Sequence, residues 1–115
     1  MAVESELFPY LRVTFTVRER TEIVEALIDT GFDGDLVVPR ELITNGQPPD
    51  SFQAWVLADG SRVRTGVYAG TVQIGSLPPL PADIVALGEE PLVGRGVTDR
   101  YRLILDHGQR VILEP

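Results

Sequence analysis

Asp29-Thr30-Gly31 is the place in this chain where residue type and position suggest chemistry. It follows the apolar run Ala26-Leu27-Ile28, so the Asp29 carboxylate stands at a predicted strand end, entering a loop. A carboxylate in that position can be half of a paired-carboxylate centre. Two such groups at hydrogen-bond distance resist ionising together and share one proton. One then draws a proton from water while the other protonates a leaving amine. That pair can hydrolyse a peptide bond without metal or covalent intermediate. The tripeptide occurs once, so the chemistry requires two copies of the chain. Thr30 supplies a short hydroxyl that can bond across to a partner's loop. Gly31 lets the backbone come close and donate an amide to the carboxylate.

Short strands must carry this loop. Leu11, Val13, Phe15 and Val17 alternate with Arg12, Thr14 and Thr16, which predicts a strand over 11–17 after a lead-in ending at Pro9-Tyr10. A polar turn, Arg18 to Thr21, leads to a second strand over 22–28. Asp29 to Gly34 is a loop, and Leu36-Val37-Val38 a short buried strand. Pro39 opens a helical turn over Arg40 to Ile43, stopped by Asn45-Gly46 and Pro48-Pro49. Phe52 to Leu57 and Arg62 to Ile74 form a hairpin around Ala58-Asp59-Gly60-Ser61. Gly66 and Gly70 predict a bend or bulge in its returning strand. A proline-rich connection over 76–81 precedes a strand over 83–87. Val97 to Arg100 reads as a helical turn, and Tyr101 to Leu105 with Arg110 to Leu113 as a last hairpin. The sum is one all-β domain over 1–115 with one or two short helices.

Composition narrows the function classes. The chain has 115 residues, 43% of them hydrophobic, enough for one core. It has no cysteine, which removes disulfides, thiolate metal sites and cysteine nucleophiles. Net charge is −7 and all ten basic residues are arginine, a poor match for nucleic acid or an anionic membrane. No stretch reaches the roughly 18–20 apolar residues that cross a bilayer, and the first ten residues lack a signal-peptide core. The expected location is the cytoplasm.

A second segment, Leu92-Val93-Gly94-Arg95, lies well downstream of the first and precedes the predicted helical turn. With it, the chain resembles the retroviral-type aspartic proteases, the retropepsins. The order is shared over most of the length: hairpin, Asp-Thr-Gly loop, flap-like hairpin, apolar-apolar-Gly segment, short helix, C-terminal strand. Asp29-Thr30-Gly31-Phe32-Asp33-Gly34 is similar to the motif of the bacterial and archaeal single-domain members of clan AA.

The resemblance implies an all-β, retropepsin-like acid protease barrel. It implies an aspartic endopeptidase in which Asp29 is catalytic and Thr30 and Gly31 complete its loop. Leu92, Val93 and Gly94 would pack behind that loop, and Asp33 would form an ion pair with Arg95. The hairpin would be a flap, so Phe32, Asp33, Trp55, Leu57, Ala58, Asp59 and Gly60 are the expected substrate cleft. Val56 would join Trp55 and Leu57 on its inner side. Partners would be a second copy of the chain and a peptide or protein substrate, with no cofactor and no metal. Interleaved terminal strands, including Arg110 to Leu113, would form much of the dimer interface. Phe32 and Gly96 depart from the viral pattern, which has a small residue and a polar one there. A catalytically silent dimer that binds peptides or proteins fits the same motifs.

Other candidates fall away. His107, the only histidine, precedes Gly108 in a predicted turn and has no partners for a triad. Glu89-Glu90 and Asp33 with Asp35 match no calcium loop. Gly94-Arg95-Gly96 lacks dinucleotide spacing.

Overall fold

The computed structural model describes residues 2–43 and 46–115. Asn45 of the expected helix stop lies outside them. The strands are β1 (Val3–Ser5), β2 (Tyr10–Val17), β3 (Arg20–Ile28), β4 (Leu36–Val38), β5 (Ser51–Val56), β6 (Arg62–Gln73), β7 (Leu80–Ala86), β8 (Leu92–Val93), β9 (Arg102–Asp106) and β10 (Arg110–Glu114). One α-helix, α1 (Arg95–Thr98), and a 3₁₀ turn (Arg40–Leu42) behind Pro39 complete the described elements. No helix among the described residues is long and apolar enough to cross a membrane.

Alternation along β2 decides the core. Leu11, Val13, Phe15 and Val17 are buried, while Arg12 between them is exposed. β2 pairs with β3 on one edge and with the end of β6 on the other. The sheet order β2-β3-β8-β4-β7-β6 therefore returns to β2 and closes a barrel, with β5 held on β6 outside the closure. Closure removes the open edges of these strands. The barrel is filled by Leu11, Phe15, Leu36, Ile74, Leu77 and Ile84 among others.

Of the bend or bulge expected at Gly66 and Gly70, the bulge is not formed. β6 keeps one unbroken register with each of β5, β7 and β2. Gly70 instead marks a close approach where β6 meets β2. A Cβ there would run into the Thr16 carbonyl and within 3.2 Å of Val17 Cγ2.

Several elements begin or end away from the expected residues, and three of the differences have a clear structural cause. Residues 3–5, inside the predicted lead-in, form β1 because β10 gives them a partner. β7 begins at Leu80 and includes Pro81, which lies beyond the stretch that β4 reaches, Ile84–Ala86. The helix is Arg95–Thr98 rather than Val97–Arg100, because the Gly94 carbonyl accepts from both Val97 and Thr98.

β1, β10 and β9 form a separate three-stranded sheet in that order. β10 thus has both edges occupied inside its own chain. The expected interleaving of Arg110 to Leu113 with a partner's strand would need β1 or β9 displaced.

Candidate active site

Asp29 leaves the end of β3, and β8 fixes where it emerges. Leu27 and Ile28 run parallel to Leu92 and Val93. The Asp29 N–H continues that ladder, donating to the Val93 carbonyl at 3.0 Å. The chain then turns sharply, with the Phe32 N–H reaching back to the Asp29 carbonyl at 3.2 Å. Inside this turn the Gly31 N–H donates to Asp29 Oδ1 at 3.0 Å. A Cβ on residue 31 would sit 3.3 Å from that oxygen, so glycine leaves the approach open. Asp29 is half-buried, and Thr30 and Gly31 are exposed. Among the described residues the Thr30 hydroxyl has no hydrogen-bond partner.

The loop rests on the segment after β8. Gly94, Arg95 and Gly96 donate their N–H groups to the carbonyls of Asp35 (2.9 Å), Phe32 (2.8 Å) and Gly34 (3.0 Å). Such closeness leaves no room for a side chain at either glycine. A Cβ on Gly94 would meet the Phe32 carbonyl at 2.7 Å, and one on Gly96 the Gly34 carbonyl at 2.9 Å. Asp35 also anchors the loop, its Oδ2 accepting from the Asp83 N–H at 2.8 Å.

The expected Asp33–Arg95 ion pair is not formed. Both residues are exposed, and Arg95 is tied to the loop by its backbone. In solvent such a pair gains little to hold two side chains in one geometry.

A pocket of about 470 Å³ opens above Asp29. Asp29, Phe32, Trp55, Leu57, Ala58 and Leu92 contribute to its wall, as does Val56, so most of the expected cleft residues are brought together. Among the described residues, Asp29 is the one charged residue lining it. Asp33 faces a neighbouring hollow with Asp35, Gln53 and Asp83. Asp59 and Gly60 occupy the hairpin tip beyond the pocket wall. Val93 and Gly94 lie buried beneath the loop. Val37 and Leu87 also line the pocket and were missed from the sequence. Val37 reads there only as part of a buried strand and Leu87 as the end of a short one, and the pairing of β4 with the end of β7 brings them to the site. A more open hollow of about 610 Å³ beside β1 and β2 holds no comparable loop.

The hairpin between β5 and β6 stands over one side of the pocket. Its tip is closed by the Leu57 N–H to the Ser61 carbonyl (2.8 Å) and the Gly60 N–H to the Leu57 carbonyl (2.9 Å). Gly60 has φ +84°, which suits glycine. Asp59 Oδ1 accepts from the Ser61 hydroxyl (2.6 Å) and the Ser61 N–H (2.8 Å). These bonds favour the carboxylate and hold the Asp59 carboxyl below its ordinary range. Trp55 Nε1–H donates to Thr65 Oγ1 at 2.9 Å, which fixes the indole. The Phe32 ring meets it with centroids 5.1 Å apart and planes inclined at 58°.

Elsewhere, His107 adopts φ +54° in the last turn and bonds its neighbour Asp106, in keeping with a turn residue. Among the described residues, no three histidine, cysteine, aspartate or glutamate side chains gather as metal ligands.

No protein-family model and no curated protein sequence matches the chain. Among solved structures, it is similar to a retropepsin-like aspartic protease from Rickettsia conorii. The TM-score is 0.60 at 15% identity, over 98% of this chain and 91% of that one. A likeness of that extent at that identity speaks for architecture: the chain has an all-β, retropepsin-like fold.

Proposed function

We propose that the chain is one protomer of a homodimeric aspartic endopeptidase. The observation that carries this reading is the Asp29 carboxylate, held by the Gly31 N–H at the edge of an otherwise apolar pocket beneath a hairpin. Two protomers related by a two-fold axis each supply Asp29, and the carboxyl groups share one proton. A water between them is activated by the ionised member, and the protonated member delivers the proton to the leaving amine. Thr30, whose hydroxyl has no partner among the described residues, bonds to the loop opposite. The hairpin closes over an extended peptide and excludes bulk water. The reaction takes no cofactor, and its place is the cytoplasm.

Digestion of casein or a peptide library from acid to neutral pH tests this. Cleavage lost with Asp29→Asn and blocked by a statine-type inhibitor supports the enzyme. One observation favours a second reading, peptide binding without turnover: the Phe32 ring lies against Trp55 and takes up wall space in the pocket. Peptide capture with no cleavage at any pH selects that reading.

A further inference from the structure

We infer that two copies of the chain join through the outer edge of β9, in antiparallel register centred on Ile104. This rests on the homodimer reading above and assigns a seam to it.

β9 is the end strand of the three-stranded sheet, with β10 on one side and, among the described residues, no ladder partner on the other. Its register with β10 is unbroken, it contains neither proline nor bulge, and its charged residues Arg102 and Asp106 stand at its two ends, so the apolar middle of that edge is unguarded. An unguarded edge is a template for another strand.

The residue order selects a second copy as that strand. β9 reads Arg102-Leu103-Ile104-Leu105-Asp106. Antiparallel pairing about a two-fold axis through Ile104 sets Arg102 against Asp106 of the partner subunit, and the reverse on the other side of the axis. Leu103 then faces Leu105 of the partner subunit. The charges and the apolar positions are self-complementary, as a two-fold interface demands. Moving the centre to Leu103 or Leu105 sets a charge opposite Ile104. Moving it half a step turns inward-facing residues against outward-facing ones.

The side chains stand where this pairing uses them. Arg102 and Asp106 share the face that also holds Ile104, each engaging β10: Arg102 lies 3.6 Å from Glu114, and Asp106 accepts from Arg110 at 2.8 Å. On the opposite face Leu103 packs against the core, while Leu105 is 49% exposed. The other free edge of this sheet suits self-pairing less well: β1 carries Glu4 at its centre, which a two-fold axis would set against itself. The β9 seam makes one continuous sheet of six strands, three from each protomer. It also lies close in sequence to the site, since only α1 and residues 99–101 separate β9 from the Gly94 support of the Asp29 loop.

The test uses the absence of cysteine. Residues paired directly across antiparallel strands have Cβ atoms about 4.5–5.5 Å apart. Ile104→Cys on the axis is therefore expected to give a reductant-sensitive covalent dimer under mild oxidation, while Ile23→Cys, at an exposed site on β3, is not. Arg102→Glu and Asp106→Arg are each expected to weaken the dimer at least about tenfold in sedimentation, because like charges then face across the seam. An equimolar mixture of the two restores opposite charges at both contacts and is expected to restore association. A protein that sediments as a dimer and cleaves peptides, yet gives neither cross-link nor rescue, overturns the β9 seam and leaves the endopeptidase reading standing. A protein that stays monomeric at all concentrations overturns both.

Discussion

The Phe32 ring lies across Gly34 and meets Trp55 at 5.1 Å, so the loop that follows the Asp29 motif is bolted to the hairpin above the pocket. Trp55 is held in turn by Thr65. A motif loop and a flap-like hairpin that are separate in sequence thus share one apolar wall, with Val37, Val67 and Val85 behind it. Phe32→Ala should destabilise the fold by about 2 kcal/mol, below the range for a fully buried phenylalanine because Phe32 is half-buried. Urea unfolding reads that loss. Emission from Trp55, the only tryptophan, should shift to the red at once.

Asp29→Asn should separate chemistry from folding. Its amide oxygen can still accept the Gly31 N–H, so the unfolding midpoint should hold to within about 0.5 kcal/mol. Peptide cleavage should fall at least about 1,000-fold, since an amide cannot exchange the proton. Equal loss of activity and stability would instead make Asp29 a structural residue.

Glycine substitutions should rank by what surrounds each residue. Gly96→Ala drives a methyl group into the Asp35 carboxylate and the Gly34 carbonyl, at a cost of about 3 kcal/mol. Gly88→Ala meets nothing within 4 Å and bears only its left-handed backbone, φ +67°, at about 1 kcal/mol. Thermal melts of the two variants give the order directly.

The hairpin tip should respond to acid. The Asp59 carboxyl is held low first by the Ser61 hydroxyl and then by the Ser61 N–H. A depressed folded-state value means that its contribution is present above the ordinary carboxylate value and disappears as pH falls through the folded one. Ser61→Ala removes the hydroxyl and keeps the N–H. Carboxyl titration by NMR should show the Asp59 midpoint rising toward, without reaching, its ordinary range. An unchanged midpoint would mean the tip does not hold this turn in solution.

Much of the fold is legible in the chain because its signals are local. Alternation from Leu11 to Val17 is enough for a strand with one face buried. Asp59-Gly60 marks a hairpin, and Gly94 beside Leu92-Val93 marks a tight crossing. The Asp29 loop is legible for the same reason: an apolar run, a carboxylate and a glycine are adjacent. β1 was not legible, since Val3–Ser5 is a strand only by virtue of β10 at the far end of the chain. The helix start was misplaced by two residues because the Gly94 carbonyl, and no local propensity, caps it.

What the sequence determined by itself was most of the strands, the single carboxylate motif and the glycine-bearing segment that supports it. Each depends on neighbours along the chain, where pleat, turn and close approach impose their own residue patterns. The tertiary structure decided which distant strands lie side by side. That brought Val37 and Leu87 to the pocket, left Asp33 and Arg95 in solvent, and filled both edges of β10 while leaving β9 open. Register between remote strands follows from how the whole barrel closes and packs, and no short stretch of residues carries that information.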